Sequence, residues 1–146
     1  MLKKIILVIA IMLIPFMFSY AQNVPLKDYK AEAQNEKEIV DVLQALSDGW
    51  KTKDKEQILS YCNENAQFSD LSGSYISKEK MLGQEVSDWG PKSKKWYGYY
   101  DVNMKIDGDK AEVTCNEMRS YGYYKATMQL IKEDQKWQIL QYDWQP

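Results

Sequence analysis

Histidine is absent from all 146 residues of the chain. Its absence excludes Ser-His-Asp and Cys-His catalysis, histidine general bases and histidine-ligated metals. Cysteine is scarce, with only Cys62 and Cys115 present. Two thiols without histidine leave a tetrahedral zinc site unfilled, so neither metal nor cofactor is expected. Basic charge is not in excess: 19 Lys and Arg stand against 21 Asp and Glu. Nothing follows a phosphate backbone, which argues against nucleic acid as a partner. With 4 Pro and 7 Gly, the chain carries no linker, repeat or low-complexity tract. Long apolar runs are confined to one place, the uncharged stretch from Ile5 to Phe18. It falls short of the roughly 20 residues a membrane span needs.

That run has the layout of a removable leader. Lys3 and Lys4 precede it, and Ser19-Tyr20-Ala21 places small residues at −3 and −1 of a cleavage site. Residues 1–21 therefore read as a signal peptide, with a secreted or periplasmic product and no stable membrane anchor after cleavage. Removing 21 of the 146 residues leaves 125, and losing Lys3 and Lys4 sets 17 basic residues against 21 acidic, a net charge of −4. Such a length suits one domain that buries about two-thirds of its unfolded surface. In an exported chain, Cys62 and Cys115 are either one disulfide or two buried thiols packing as small apolar residues.

The polar stretch 22–34 reads as a partly disordered lead-in. From Asn35, the residues Ile39, Leu43, Leu46 and Trp50 recur at helical spacing on one face. Asp54 opens a second, short helix in a capping-box pattern with Gln57, and Ile58, Leu59 and Cys62 form its buried side. A brief strand surrounds Phe68, a turn follows at Leu71–Ser74, and Ser77 caps a third helix that Gly90-Pro91 ends. Four long strands complete the chain: 95–106, 110–120, 123–132 and 136–144. Alternation in the first of them places Trp96, Tyr100, Val102, Met104 and Ile106 on one face, and Tyr99, Asp101 and Asn103 on the other. Gly98 permits a bulge there. Helices followed by a run of antiparallel strands make the chain α+β.

Aromatic side chains are what the sequence has in quantity. After the leader there remain five Trp, ten Tyr and one Phe. An excess of Tyr and Trp over Phe suits rings that meet water at one end. A Tyr-Gly-Tyr-Tyr pattern occurs twice, at 97–100 and 121–124, and reads first as cross-strand packing, then as a dimer face, then as a ligand cup. Glu117 and Arg119 continue the face of Val113 and Cys115 and reach a pocket mouth if that face is concave. Trp50 and Trp89 stand at helix ends where they can border the same opening. Tyr100 and Tyr124 complete the ligand-pocket candidates.

Several segments, taken in order, resemble the nuclear transport factor 2-like superfamily, with its polyketide-cyclase-like and ketosteroid-isomerase-like proteins. They are Trp50-Lys-Thr-Lys-Asp54, Ile58-Leu59 with Asn65-Ala-Gln-Phe68, Asp109-Lys-Ala-Glu-Val113 and Lys136-Trp-Gln-Ile139. The resemblance covers residues 35–146 as one domain. It implies a cone in which N-terminal helices pack inside a strongly curved antiparallel sheet. It also implies homodimerisation through the outer face of that sheet. In ketosteroid isomerases an aspartate after the first strand is the general base, and Asp70 matches it. That chemistry also needs a tyrosine and a protonated acid as donors to the oxyanion. Leu46 stands at the tyrosine position, and the acid's position falls near Thr127.

A base without donors makes a poor isomerase. The expectation is therefore a non-catalytic binding domain, holding a small apolar or aromatic ligand in the cone or acting through homodimerisation. The alternatives are a polyketide-cyclase- or isomerase-type enzyme using Asp70 with Tyr100 or Tyr124, and an accessory protein-interaction module.

Overall fold

The computed structural model describes residues 23–69, 73–87, 96–120 and 122–145, less the side chains of 84–87 and Tyr97. The signal-peptide segment 1–21, Asp70 and Trp89 lie outside the described residues.

Helix α1 spans Gln34–Thr52 and buries Ile39, Leu43, Leu46 and Trp50 along the stripe that their spacing implies. Lys53 ends it in the left-handed region, where Asp54 N–H donates to Gly49 O at 2.9 Å. Asp54 then caps α2 (Lys55–Ser60), its carboxylate accepting from Gln57 N at 3.0 Å. The Gln57 side chain does not reach back to complete a capping box. Its Nε2 donates to Ala45 O at 2.8 Å and ties α2 to α1. Gly49 serves the same junction, because a Cβ there would lie 2.8 Å from Ile58 Cγ1.

Strand β1 covers Cys62–Ser69, so Cys62 opens a strand rather than closing a helix. Strand β2 (Tyr75–Ser77) pairs with it, and α3 (Lys78–Ser87) follows, Lys80 N donating to Ser77 Oγ at 3.3 Å. The long strands are β3 (Trp96–Asp107), β4 (Lys110–Arg119), β5 (Gly122–Glu133) and β6 (Lys136–Gln145). Together they form one curved, unclosed, six-stranded sheet in the order β2-β1-β6-β5-β4-β3. Every pairing is antiparallel except β1 with β6, which is parallel. The fold is α+β, with α1 laid against the inner face, where Val113, Met128 and Ile139 are fully buried.

Bulges in two strands redirect side chains. The β3 register shifts between Trp96 and Gly98 and again between Tyr100 and Asn103. Gly98 has φ +141° and Asp101 φ +52°, values that a regular strand does not allow. Strict alternation therefore fails across 96–102. Tyr99 turns inward and is 1 % exposed, while Tyr100 leaves the inner face and pairs with Asn116. In β6, Leu130 pairs with Ile139 and Gln129 with Gln141, which leaves Leu140 as the extra residue. That bulge sends Tyr142 and Trp144 inward.

The lead-in is ordered over its described part. Leu26–Asp28 forms a 3-10 turn, Leu26 is buried, and Val24 and Pro25 run along the free edge of β3. Asp101 N donates to Val24 O at 2.8 Å, and Val24 N donates to Asp101 Oδ1 at 2.9 Å. The cysteines are free thiols. Cys62 lies on β1 beside Ile139 of β6, while Cys115 lies on β4, three strand positions away and hence about 14 Å across the sheet. A disulfide needs Cα atoms about 4.4–6.8 Å apart, so the bridge is not formed.

Candidate functional site

Across the sheet, Tyr99 of β3, Glu117 of β4 and Tyr124 of β5 stand in one row, with Trp96 opposite Arg119 beyond it. Alternation along β4 carries Ala111, Val113, Cys115 and Glu117 to the inner face, so Glu117 enters a region packed by apolar neighbours and is fully buried. A buried carboxylate is costly unless it is paired and hydrogen-bonded. Here it is both. Arg119 donates to Oε2 through Nε at 3.1 Å and Nη2 at 2.8 Å. Trp144 Nε1 donates to Oε1 at 2.9 Å, and the Tyr142 hydroxyl donates to the same oxygen. Tyr99 Oη lies 3.0 Å from Tyr142 Oη. Because Tyr142 gives its proton to Glu117, Tyr99 is the donor in that contact, and a relay runs Tyr99, Tyr142, Glu117.

Arg119 is boxed in by rings. Its guanidinium carbon lies 5.4 Å from the Trp96 centroid, 5.2 Å from Tyr124 and 5.4 Å from Trp144, all within cation–π range. The rings brace one another. Trp96 meets Tyr99 edge-on at 5.0 Å, Tyr142 lies 4.7 Å from Trp144, and Phe68 stacks on Tyr142 at 5.5 Å. Trp50 closes the back, 6.0 Å from Trp96, whose Nε1 donates to Ser47 Oγ at 3.1 Å. Burial pushes the Tyr99 hydroxyl well above its ordinary pKa, and the nearby negative charge of Glu117 adds to the effect. Burial, then Glu117, likewise raises the Cys115 thiol, and burial pushes Cys62 up to about 12. Both thiols stay protonated and inert, since the thiolate is the reactive form.

The candidates read from the sequence therefore separate. Trp50, Glu117, Arg119 and Tyr124 converge on this box. Tyr100 is not brought to it: the Gly98 bulge carries its ring to a cleft beside α1. Asp70 follows Ser69, whose Oγ accepts from Trp144 N at 2.9 Å, but neither it nor Trp89 is described. Tyr99, Tyr142 and Trp144 are partners that alternation alone does not select, whereas Trp96 keeps the inward face that alternation gives it. The glycine in β3 was the available signal for Tyr99, while nothing in the residues around Leu140 announces the β6 bulge.

Chemically, the Glu117 carboxylate is saturated. Each Glu117 oxygen accepts two of the four donor bonds, which leaves the carboxylate poorly placed to take a proton from a substrate. Its two bonds to Arg119 tether the guanidinium within reach of the three rings. Among the described residues, no cluster of three or more His, Cys, Asp or Glu side chains could hold a metal, and no helix is long and apolar enough to cross a membrane.

Solved structures share this arrangement of strands and helices. A protein of unknown function from Shewanella baltica OS155, itself described as nuclear transport factor 2-like, superposes with TM-score 0.61 at 17% identity, covering 80% of this chain and 97% of that one. The chain has the nuclear transport factor 2-like fold. A Nostoc punctiforme protein of unknown function with a cystatin-like fold matches this fold with TM-score 0.64 at 15% identity, over 81% of this chain and 96% of that one. A candidate ketosteroid isomerase from Shewanella frigidimarina matches with TM-score 0.58 at 15% identity, over 73% and 93%. No family model matches the sequence, and no curated protein does. The likeness of this chain to its neighbours is one of fold.

Proposed function

We propose that the chain is an exported, non-catalytic binding domain whose aromatic box receives a small apolar or aromatic ligand at the open end of the cone. One observation carries this reading: a guanidinium is pinned among three rings by a carboxylate with no oxygen to spare. A fixed cation backed by rings offers a planar ligand both a stacking surface and an electrostatic handle. The domain pairs with a second copy through the outer face of the sheet, where Tyr75 and Tyr123 are exposed. The isomerase-type alternative draws support from the Shewanella frigidimarina neighbour and rests on Asp70.

Native mass spectrometry on protein purified gently from the exported fraction tests the reading. The expected result is a dimer carrying a small extra mass that Arg119→Met removes. A clean monomer that binds no aromatic probe overturns it. Turnover of a steroid enone that Asp70→Asn abolishes selects the enzyme instead.

A further inference from the structure

A second cleft adjoins the box, sharing Tyr99 with it, between the lead-in, α1 and the bulged end of β3. It has a volume of about 250 Å³ and is lined by Leu26, Lys27, Ser47, Lys51, Gly98 and Tyr100, among others. Its floor holds an incomplete hydroxyl. Ser47 is 2 % exposed, and its Oγ accepts from Trp96 Nε1 at 3.1 Å. A helical serine ordinarily passes its own proton to the carbonyl four residues back. Ser47 makes no such bond, and no acceptor among the described residues takes that proton. Gly98 borders the hydroxyl: a Cβ there would stand 3.8 Å from Ser47 Oγ. At the rim, Lys27 and Lys51 are exposed, and neither forms an ion pair among the described residues.

We infer that this cleft binds a small carboxylate-bearing molecule with a flat apolar body. The carboxylate accepts the orphan Ser47 proton and lies between the two ammonium groups. The apolar body rests on Leu26 and Tyr100. A buried donor lacking an acceptor is unfavourable, and an anionic acceptor is the group that recovers most of the loss. The volume lies at or below the small end of ligand pockets, about 300–1,000 Å³, which favours a single-ring acid over a multi-ring body.

Benzoate and its neutral isostere benzamide, titrated into the purified protein and followed by amide NMR, test the inference. Benzoate is expected to shift Leu26, Ser47 and Gly98 saturably, with benzamide about tenfold weaker or more, as charge-assisted bonds imply. The exposed double substitution K27Q/K51Q is expected to weaken benzoate by a similar factor without changing the fold, and Ser47→Ala to weaken it as well. Unchanged affinity in K27Q/K51Q overturns the inference. So does benzoate binding that moves Arg119 and Trp144 instead, since the acid would then occupy the aromatic box.

Discussion

Glu117 and Arg119 set the terms at the scale of single residues. The pair is nearly sealed, with side-chain exposures of 0% and 13%. Breaking such a pair leaves an uncompensated charge, which costs about 3–5 kcal/mol. Glu117→Ala should therefore lower the unfolding free energy obtained from urea melts by that much, whereas the double change Glu117→Leu with Arg119→Met should recover most of it. A double variant as unstable as the single one would show that the rings, not the charges, dominate. A pH effect belongs here too. Cys62 and Tyr99 have folded pKa values above their unfolded ones, so folding favours their protonated forms. Their contribution is complete below the unfolded values, near 9.0 for the thiol and 10.0 for the phenol, and is lost as pH rises through the folded ones. Stability should thus fall from pH 9 toward about 12, by about 1.4 kcal/mol per unit for each titrating group. Cys62→Ala should flatten the first part of that decline in urea melts at stepped alkaline pH.

Bulges and close contacts matter at the scale of elements. Leu140 is the residue by which β6 changes parity between Ile139 and Tyr142. Deleting it would make β6 regular with Ile139, Tyr142 and Trp144 on one inward face, so the donors to Glu117 stay in place. The expected outcome is a folded variant that keeps the near-ultraviolet circular dichroism of the packed aromatics, with stability changed by about 0.5–3 kcal/mol. A deletion variant that loses that spectrum would show that the bulge itself, and not parity alone, shapes the box. The α1–α2 junction offers a gentler test. Gly49→Ala gains about 1 kcal/mol of helix propensity but drives a methyl to 2.8 Å from Ile58 Cγ1. Overpacking of this kind costs about 1–3 kcal/mol, so net destabilisation in thermal melts is the expected sign.

For the whole molecule, the exposed edge of β3 is the weak point of an unclosed sheet. The lead-in covers part of that edge through Val24, Pro25 and the Asp101 bulge, whose other carboxylate oxygen accepts from Asn116 Nδ2 at 2.9 Å. A chain beginning at residue 31 should therefore self-associate through β3, seen as larger species in sedimentation velocity, while its α1 core remains folded. Were it to sediment like the intact protein, the lead-in would be a passive strap.

Local periodicity determined the helices, the order of the strands, the third-helix cap at Ser77 and the inward face of β4, including Glu117 and Arg119. Each of these depends on spacing within one segment, and the hydrophobic effect acts on that spacing directly. The α+β class followed from the order of those segments, and the cone from the resemblance to nuclear transport factor 2-like proteins. Tertiary structure decided the rest. The inward turn of Tyr99, Tyr142 and Trp144, the loss of Tyr100 from the box and the separation of Cys62 from Cys115 all depend on pairing register and on two bulged strands. A bulge changes parity by one residue at little local cost, and only partners on neighbouring strands choose where it falls. The aromatic box is thus written in residue types along the chain but assembled by contacts between strands.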